Sequence, residues 1–250
     1  MSNLKALVID TETNGMDDDS EIVEFGAVPV LIPMMSDGEL PARGDIQVMD
    51  GGSTLIKPVN PVMPPEVMAI HHITPEMLED APPADEGVRN VSKSLGLEPQ
   101  YYVAHNSRFD EKYVKGLTAA DGPWIDTYRV ALALFPDAPS HKNAALFYWL
   151  NLHRGTDTDW PAFFANSQLH RALPDAVLTA HLFKDMLTRM SVSKMLEISS
   201  KPAVLPKVSF GKHFGKKWSE VDLGYIKWVL NQDFDEDVMH TASQELVNRA

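Results

Sequence analysis

The order of local patterns along the chain narrows its fold more than any other feature. Between Met1 and about Met190, short runs rich in Val, Ile and Tyr come first, and helical patterns are interspersed later. Residues 8–9, 22–30, 53–57 and Tyr101–Ala104 read as strands bounded by turn residues. Residues 109–117, Thr127–Leu134, 142–150 and 174–190 read as helices. That order predicts an α/β fold, a mixed β-sheet flanked by helices. Residues 34–52 carry four glycines and several acidic groups between two strands, so they read as a solvated insertion. Residues 58–65 and Pro82-Pro83 read as stiff connectors.

A break follows at residues 191–206, where serines, lysines and two prolines show no clear period. Beyond it, 208–218 reads as a hairpin with Gly211 and Gly215 as turn or bulge positions, and two short helices are expected near 224–231 and 236–249. The expected organisation is therefore a domain over 1–190, a linker over 191–206 and a small α+β appendage over 207–250. An appendage of that size is marginal alone and is expected to pack on the main domain or to be only modestly stable.

Charge divides the same way. The chain carries a net charge of −13, yet residues 194–217 hold six lysines against one glutamate. An acidic total excludes nucleic-acid binding by a broad basic surface, so any such binding is local, metal-assisted or weak. A 44% hydrophobic content suffices for a sizeable core, and the lack of cysteine excludes disulfides, thiolate zinc sites and a cysteine nucleophile. The longest apolar runs, such as 130–135, are too short to span a bilayer, and the first residues do not resemble a signal peptide. A cytoplasmic protein without a membrane partner is the expectation.

Three pieces carry chemistry. Asp10 and Glu12 end the apolar run 4–9, and residues two apart in a strand project to one face. Two carboxylates that close raise each other's pKa unless a cation sits between them, and a hard divalent ion with oxygen ligands is such a cation. Asp110 follows a strand and a turn at Asn106, where helix capping by Asn106 and a dipole role for Asp110 would explain both residues. In His170-Arg171-Ala172-Leu173-Pro174-Asp175 the proline predicts a helix starting near residue 174, with His170 on the preceding loop and Asp175 in the first turn. Each piece alone also fits a bland reading as a polar turn or a dipole-stabilising group.

Together, Asp-x-Glu, Asn-x-x-Phe-Asp and His-x-Ala-x-x-Asp, in this order, resemble the DnaQ-like DEDDh 3′→5′ exonuclease family. Thr11-Glu12-Thr13-x-Gly15, Ile22-Val23-Glu24-Phe25-Gly26-Ala27-Val28, Ala69-Ile70-His71-His72-Ile73-Thr74 and Trp124-Ile125-Asp126-Thr127 are further matches. The run Phe210-Gly211-Lys212-His213-Phe214-Gly215-Lys216-Lys217 is similar to the C-terminal Phe-Gly-Lys-x-x-Gly-Lys motif of exonuclease X-type members. The resemblance implies a ribonuclease H-like fold and metal-dependent removal of nucleotides from a 3′ end as 5′-monophosphates. It assigns metal-carboxylate roles to Asp10, Glu12, Asp110 and Asp175, and the general-base role to His170. It also implies two Mg²⁺ or Mn²⁺ ions as cofactors. Such ions can stabilise both the attacking and the leaving oxygen, and a histidine, whose ordinary pKa is about 6.5, can accept a proton from water near neutrality.

Thr11, Thr13, His71, Ile73, Thr74 and Asn106 are the expected substrate-binding residues, with a packed loop as the alternative for the His71–Thr74 segment. His105 and His181 read as structural, and Asp17-Asp18-Asp19 as a solvated turn. Phe210, Phe214 and Trp218, interleaved with lysines, read equally as base-stacking groups or as the core of the appendage. DNA 3′ ends are the expected partner. An exoribonuclease, or a subunit that tethers a repair or replication protein through the appendage, are the rival readings.

Overall fold

The computed structural model describes residues 3–36, 39–117, 122–155 and 158–249. Residues 37 and 38 of the expected insertion and the last residue of the appendage lie outside the described residues. The sheet is built from β1 (Asn3–Thr13), β2 (Ile22–Pro33), β3 (Gln47–Val48), β4 (Gly52–Leu55), β5 (Tyr101–Ala104) and β6 (Trp124–Asp126). Its order is β3-β2-β1-β5-β6, with β4 also paired to β2. β1 runs antiparallel to β2 and parallel to β5, which runs parallel to β6, so the sheet is mixed as the alternation of patterns predicts.

Period-two alternation in β1 splits the core. Ala6 and Val8 face a cluster that includes Val28, Val103, Leu178 and Leu182, while Leu7 and Ile9 face a second one with Phe25, Ala27 and Val88. Both faces are covered, which is why the central strands read as nearly continuous apolar runs. The first face carries α4 (Thr127–Leu134), α5 (Asn143–Trp149) and α7 (Ala172–Leu187); α2 (Ala84–Ser94) and α3 (Ser107–Val114) lie on the second. Helices α1 (Pro65–His71) and α6 (Trp160–Asn166) complete this part. Helix α7 is buried almost all round and packs on β1 and β2, so its N-terminus is held at the end of the central strand.

Several local expectations need correction. Helix α7 begins at Ala172, two residues before Pro174. Proline at the third position removes an N–H that has no intrahelical acceptor anyway, and Asp175 makes the first such bond, to the Arg171 carbonyl. The insertion is not wholly solvated, because it supplies β3 and buries Ile46 completely enough to join the core. Asn106 stands at the N-cap of α3 with φ +74°, but its side chain caps nothing. Its backbone N–H donates instead to Asp126, whose carboxylate also caps α4. Within 191–206 a helix does form, α8 (Val192–Ser199), whose Met195 is buried in the main core.

The expected hairpin over 208–218 reduces to a single bridge between Lys207 and Lys217 around a 3-10 turn, Gly211–His213. Gly211 and Gly215 take the positive φ values that this tight turn demands. With α9 (Leu223–Val229) and α10 (Glu236–Asn248) it encloses a cluster of Val208, Trp218, Tyr225, Ile226, Val229 and Val238. Arg129, buried on α4, ties this part down by donating to Asp237 at 2.7 Å and to the carbonyls of Ser199 and Lys201. Among the described residues, no helix is long and apolar enough to cross a membrane.

Candidate active site

In a sheet whose helices cover both faces, the crevice beyond the carboxyl ends of the parallel strands is where polar side chains can converge. β1 delivers Asp10 and Glu12 there, β5 leads into α3 with Asp110, and α7 presents Asp175 in its first turn. Asp10, Glu12 and Asp175 are half-buried, and each offers an oxygen so placed that the three lie within 4.8 Å of one another. Asp110 stands just behind, buried, and accepts a 2.8 Å hydrogen bond from the Thr11 hydroxyl. His170 is exposed on the loop before α7, with φ +59°, and its backbone N–H donates to Asp175 Oδ2 at 3.1 Å.

The electrostatics follow from this crowding. Loss of solvent, then the charges of Asp110, Asp175, Glu12 and Glu24, push Asp10 well above the carboxylate range. Burial, followed by repulsion from Asp175, Glu24 and Asp110, raises Glu12 to about 8, against a smaller opposing pull from Arg171. Burial raises Asp110 to about 7 in spite of the Thr11 bond, and raises Asp175 to about 6 in spite of His170. Four carboxyl groups share a space with little compensating positive charge of the protein's own. A donor set of oxygens alone, gathered to one point and short of positive charge, suits a hard divalent cation.

The expected substrate contacts are less uniform. Thr13 is buried, and its hydroxyl donates to the Gly15 carbonyl at 2.6 Å. The His71 ring is engaged at both nitrogens, lying 3.3 Å from the Thr13 carbonyl and accepting from the Ile73 N–H at 2.9 Å. Ile73 is fully buried with Val23, Met63 and Leu78, so its side chain belongs to the core, and Thr74 is half-buried at the start of a 3-10 turn. Asn106 is exposed at the N-cap of α3 and lines a cavity with Arg108, Tyr128 and Asp235. His105 is held by Thr127 and the His141 carbonyl, and burial lowers it to about 4, which fits a structural residue. His181 packs against Trp160, and Asp17, Asp18 and Asp19 are exposed.

Two further residues shape the site, and the sequence patterns assign neither a role. Glu24 on β2 lies opposite Glu12 and receives both Nε and Nη2 of Arg171. A single glutamate within the otherwise apolar run 22–30 was the available signal, but nothing in the order of residues links it to position 171.

Comparison with known proteins agrees with this geometry. The exonuclease family model RNase_T matches residues 7–183. Exodeoxyribonuclease 10 of Escherichia coli (strain K12) is 31% identical over 229 residues, covering 90% of this chain and 90% of that one. DNA polymerase III subunit epsilon of Treponema pallidum (strain Nichols) is 30% identical over 189 residues, covering 71% of this chain and 74% of the relative. The solved structure of exonuclease X in complex with 5′ overhanging duplex DNA superposes with a TM-score of 0.56 at 29% identity, covering 78% of this chain and 99% of that one.

Proposed function

The chain belongs to the RNase_T exonuclease family, with a ribonuclease H-like mixed sheet, and from that premise we propose that it is a metal-dependent 3′→5′ exodeoxyribonuclease releasing nucleoside 5′-monophosphates. The observation that carries the reading is the convergence of Asp10, Glu12 and Asp175, with Asp110 behind them and His170 alongside.

Hydrolysis of the last phosphodiester transfers a proton away from water, builds charge on the phosphoryl oxygens and expels the 3′-oxygen of the penultimate nucleotide. Two Mg²⁺ or Mn²⁺ ions, held by Asp10, Glu12, Asp110 and Asp175, would supply the positive charge for those oxygens. His170, exposed beside Asp175, is the group that accepts the proton from water. Thr11 fixes Asp110 through its hydroxyl, and the Asp175 carboxylate receives the His170 N–H, so two of the four carboxylates are oriented by their neighbours. Asn106, exposed at the start of α3, is assigned to the terminal nucleotide, and His71 supports the same side by holding the Thr13 and Ile73 backbone.

We further assign residues 207–250 as a small module that holds substrate beyond the last nucleotide. Phe210 stacks on Phe234 at 4.3 Å and Trp218 is buried, so these two rings serve the module's core. Phe214 is 74% exposed, between exposed Lys212, Lys216 and Lys217, an arrangement suited to a base and its phosphates.

The test uses 5′-labelled single-stranded DNA and RNA of identical sequence with Mg²⁺, comparing wild type with Asp10→Ala. A ladder shrinking from the DNA 3′ end, absent with EDTA and in the variant, is the expected result. Degradation of RNA with DNA spared would transfer the site to an exoribonuclease. Cleavage by Asp10→Ala at the wild-type rate would overturn the metal-site assignment.

A further inference from the structure

We propose that Glu24 and Arg171 form a positioning pair that sets His170 and the first turn of α7 against the Asp10–Glu12 end of β1; the proposal rests on the exonuclease reading above. Glu24 and Glu12 are Cα partners in the antiparallel β1–β2 ladder, so their side chains project from the same face. The Glu24 side chain is 5% exposed. Its Oε1 accepts from Arg171 Nη2 at 2.7 Å, and its Oε2 accepts from Arg171 Nε at 2.8 Å and from the Ala172 backbone N–H at 3.0 Å. This is a two-pronged guanidinium–carboxylate contact with an unpaired helix N–H added to it, a geometry that fixes orientation as well as distance.

Every one of those donors lies within two residues of His170. His170 itself occupies the left-handed region, which a non-glycine side chain resists and which persists only where surrounding contacts over-determine it. Glu24 grips the chain on one side of that residue, and the His170 N–H on Asp175 completes the constraint. Gly26, two residues further along the same face of β2, brings the backbones into contact: a Cβ there would lie 2.5 Å from the Ala172 carbonyl carbon. β2 therefore serves as the jig against which the His170–Asp175 segment is set.

The pair is costly as a purely structural device. A buried ion pair contributes little net stability compared with apolar residues of similar volume. Glu24 also adds a further negative charge beside three crowded carboxyls, and it opposes the ionisation of Asp10, Glu12 and Asp175. What it supplies that an apolar residue would not is a fixed backbone at 170–172.

The experiment compares wild type, Glu24→Gln, Arg171→Gln and the double variant by steady-state cleavage of DNA, thermal unfolding, and Mn²⁺ binding by calorimetry. Gln at 24 turns one prong into a donor facing the guanidinium, and Gln at 171 removes the fork. We expect each single variant to lose about 10–100-fold in kcat, the scale of an ångström-sized misplacement of a reacting group. KM should stay within about twofold and Mn²⁺ affinity within about threefold, with kcat read well below a Tm that falls in each single variant, because truncating one partner leaves the other buried without its full complement of contacts. The double variant should be no slower than the worse single, because the two residues act as a unit. Should Glu24→Gln fail to fold, Arg171→Gln, at a side chain that keeps 24% exposure, gives the same kcat-against-KM reading. Single variants within twofold of the wild-type kcat, losses that multiply in the double variant, or a kcat loss that merely tracks a collapse of Tm would overturn the proposal. A wild type with no metal-dependent cleavage of either DNA or RNA would sink the exonuclease reading itself, and this assignment with it.

Discussion

Raising the pH from 7.0 to 8.5 is expected to destabilise the metal-free protein, and a divalent cation is expected to restore more stability at 8.5 than at 7.0. Glu12 is pushed up to about 8 and Asp10 well above its usual range, whereas carboxyls in an unfolded chain ionise near pH 4. The folded protein thus holds more protons than the unfolded one at neutrality. Stability linked to these groups is complete below about pH 4 and is lost as pH rises through the folded values. His71 and His105 work in the opposite sense: burial lowers both, so their contribution is complete above about pH 6.5 and drops out of the chosen window.

Between pH 7.0 and 8.5, one carboxyl titrating at about 8 would cost about 1.3 kcal/mol, and Asp10 adds in the same direction. The crevice is open to water on one side, so screening trims the total for the cluster to about 1–2 kcal/mol. For a chain of this size that corresponds to a fall in Tm of about 2–8 °C. Scanning calorimetry in EDTA at the two pH values measures it, and repetition with Mg²⁺ measures the metal-linked gain. The cation competes with protons for the same oxygens, so its stabilisation grows as they ionise. Glu12→Gln should flatten the pH dependence. A metal-free Tm that is level or rising from pH 7.0 to 8.5, or a Mg²⁺ shift equal at both, would refute the account of the cluster.

Other consequences can be checked separately. Gly26→Ala forces a Cβ to within 2.5 Å of the Ala172 backbone and should cost about 1–3 kcal/mol together with a loss of kcat, read by thermal unfolding and the cleavage assay. His170→Ala should lower kcat by about 10²–10⁴ while Mn²⁺ affinity measured by calorimetry stays largely intact. Asp237→Ala takes one partner from Arg129 and from the Ala203 N–H but leaves Arg129 its Ser199 and Lys201 carbonyls; about 1–3 kcal/mol should be lost, with faster limited proteolysis near residues 200–206. Phe214→Ala should leave Tm unchanged and weaken single-stranded DNA binding by about fivefold, followed by fluorescence anisotropy on the Asp10→Ala background.

What could be read from the sequence, and what could not, divides by the range over which the cause acts. The alternation of Leu7 and Ile9 with Ala6 and Val8 is a property of neighbouring residues, so β1 and the shared face of Asp10 and Glu12 were legible. The start of α7 was not. Pro174 pointed to residue 174, because proline discourages helix in the residue before it. A proline at the third helical position, however, gives up only an N–H that would have gone unpaired, so local chemistry leaves the first turn free to begin earlier. The choice of Ala172 is made from the other side of the sheet's edge, where Glu24 takes the Ala172 N–H and both prongs of Arg171, 147 residues away in sequence. Asn106 follows the same logic: its side chain has the local chemistry of a cap, but Asp126, from the neighbouring strand, receives its N–H and caps the next helix as well. In both cases a buried carboxylate from a distant segment overrides a local preference worth about 1 kcal/mol. The residue whose backbone is most constrained by this, His170, is the one on which proton transfer is proposed to depend, so the chemistry assigned to a short motif is set in place by a strand that the motif does not contain.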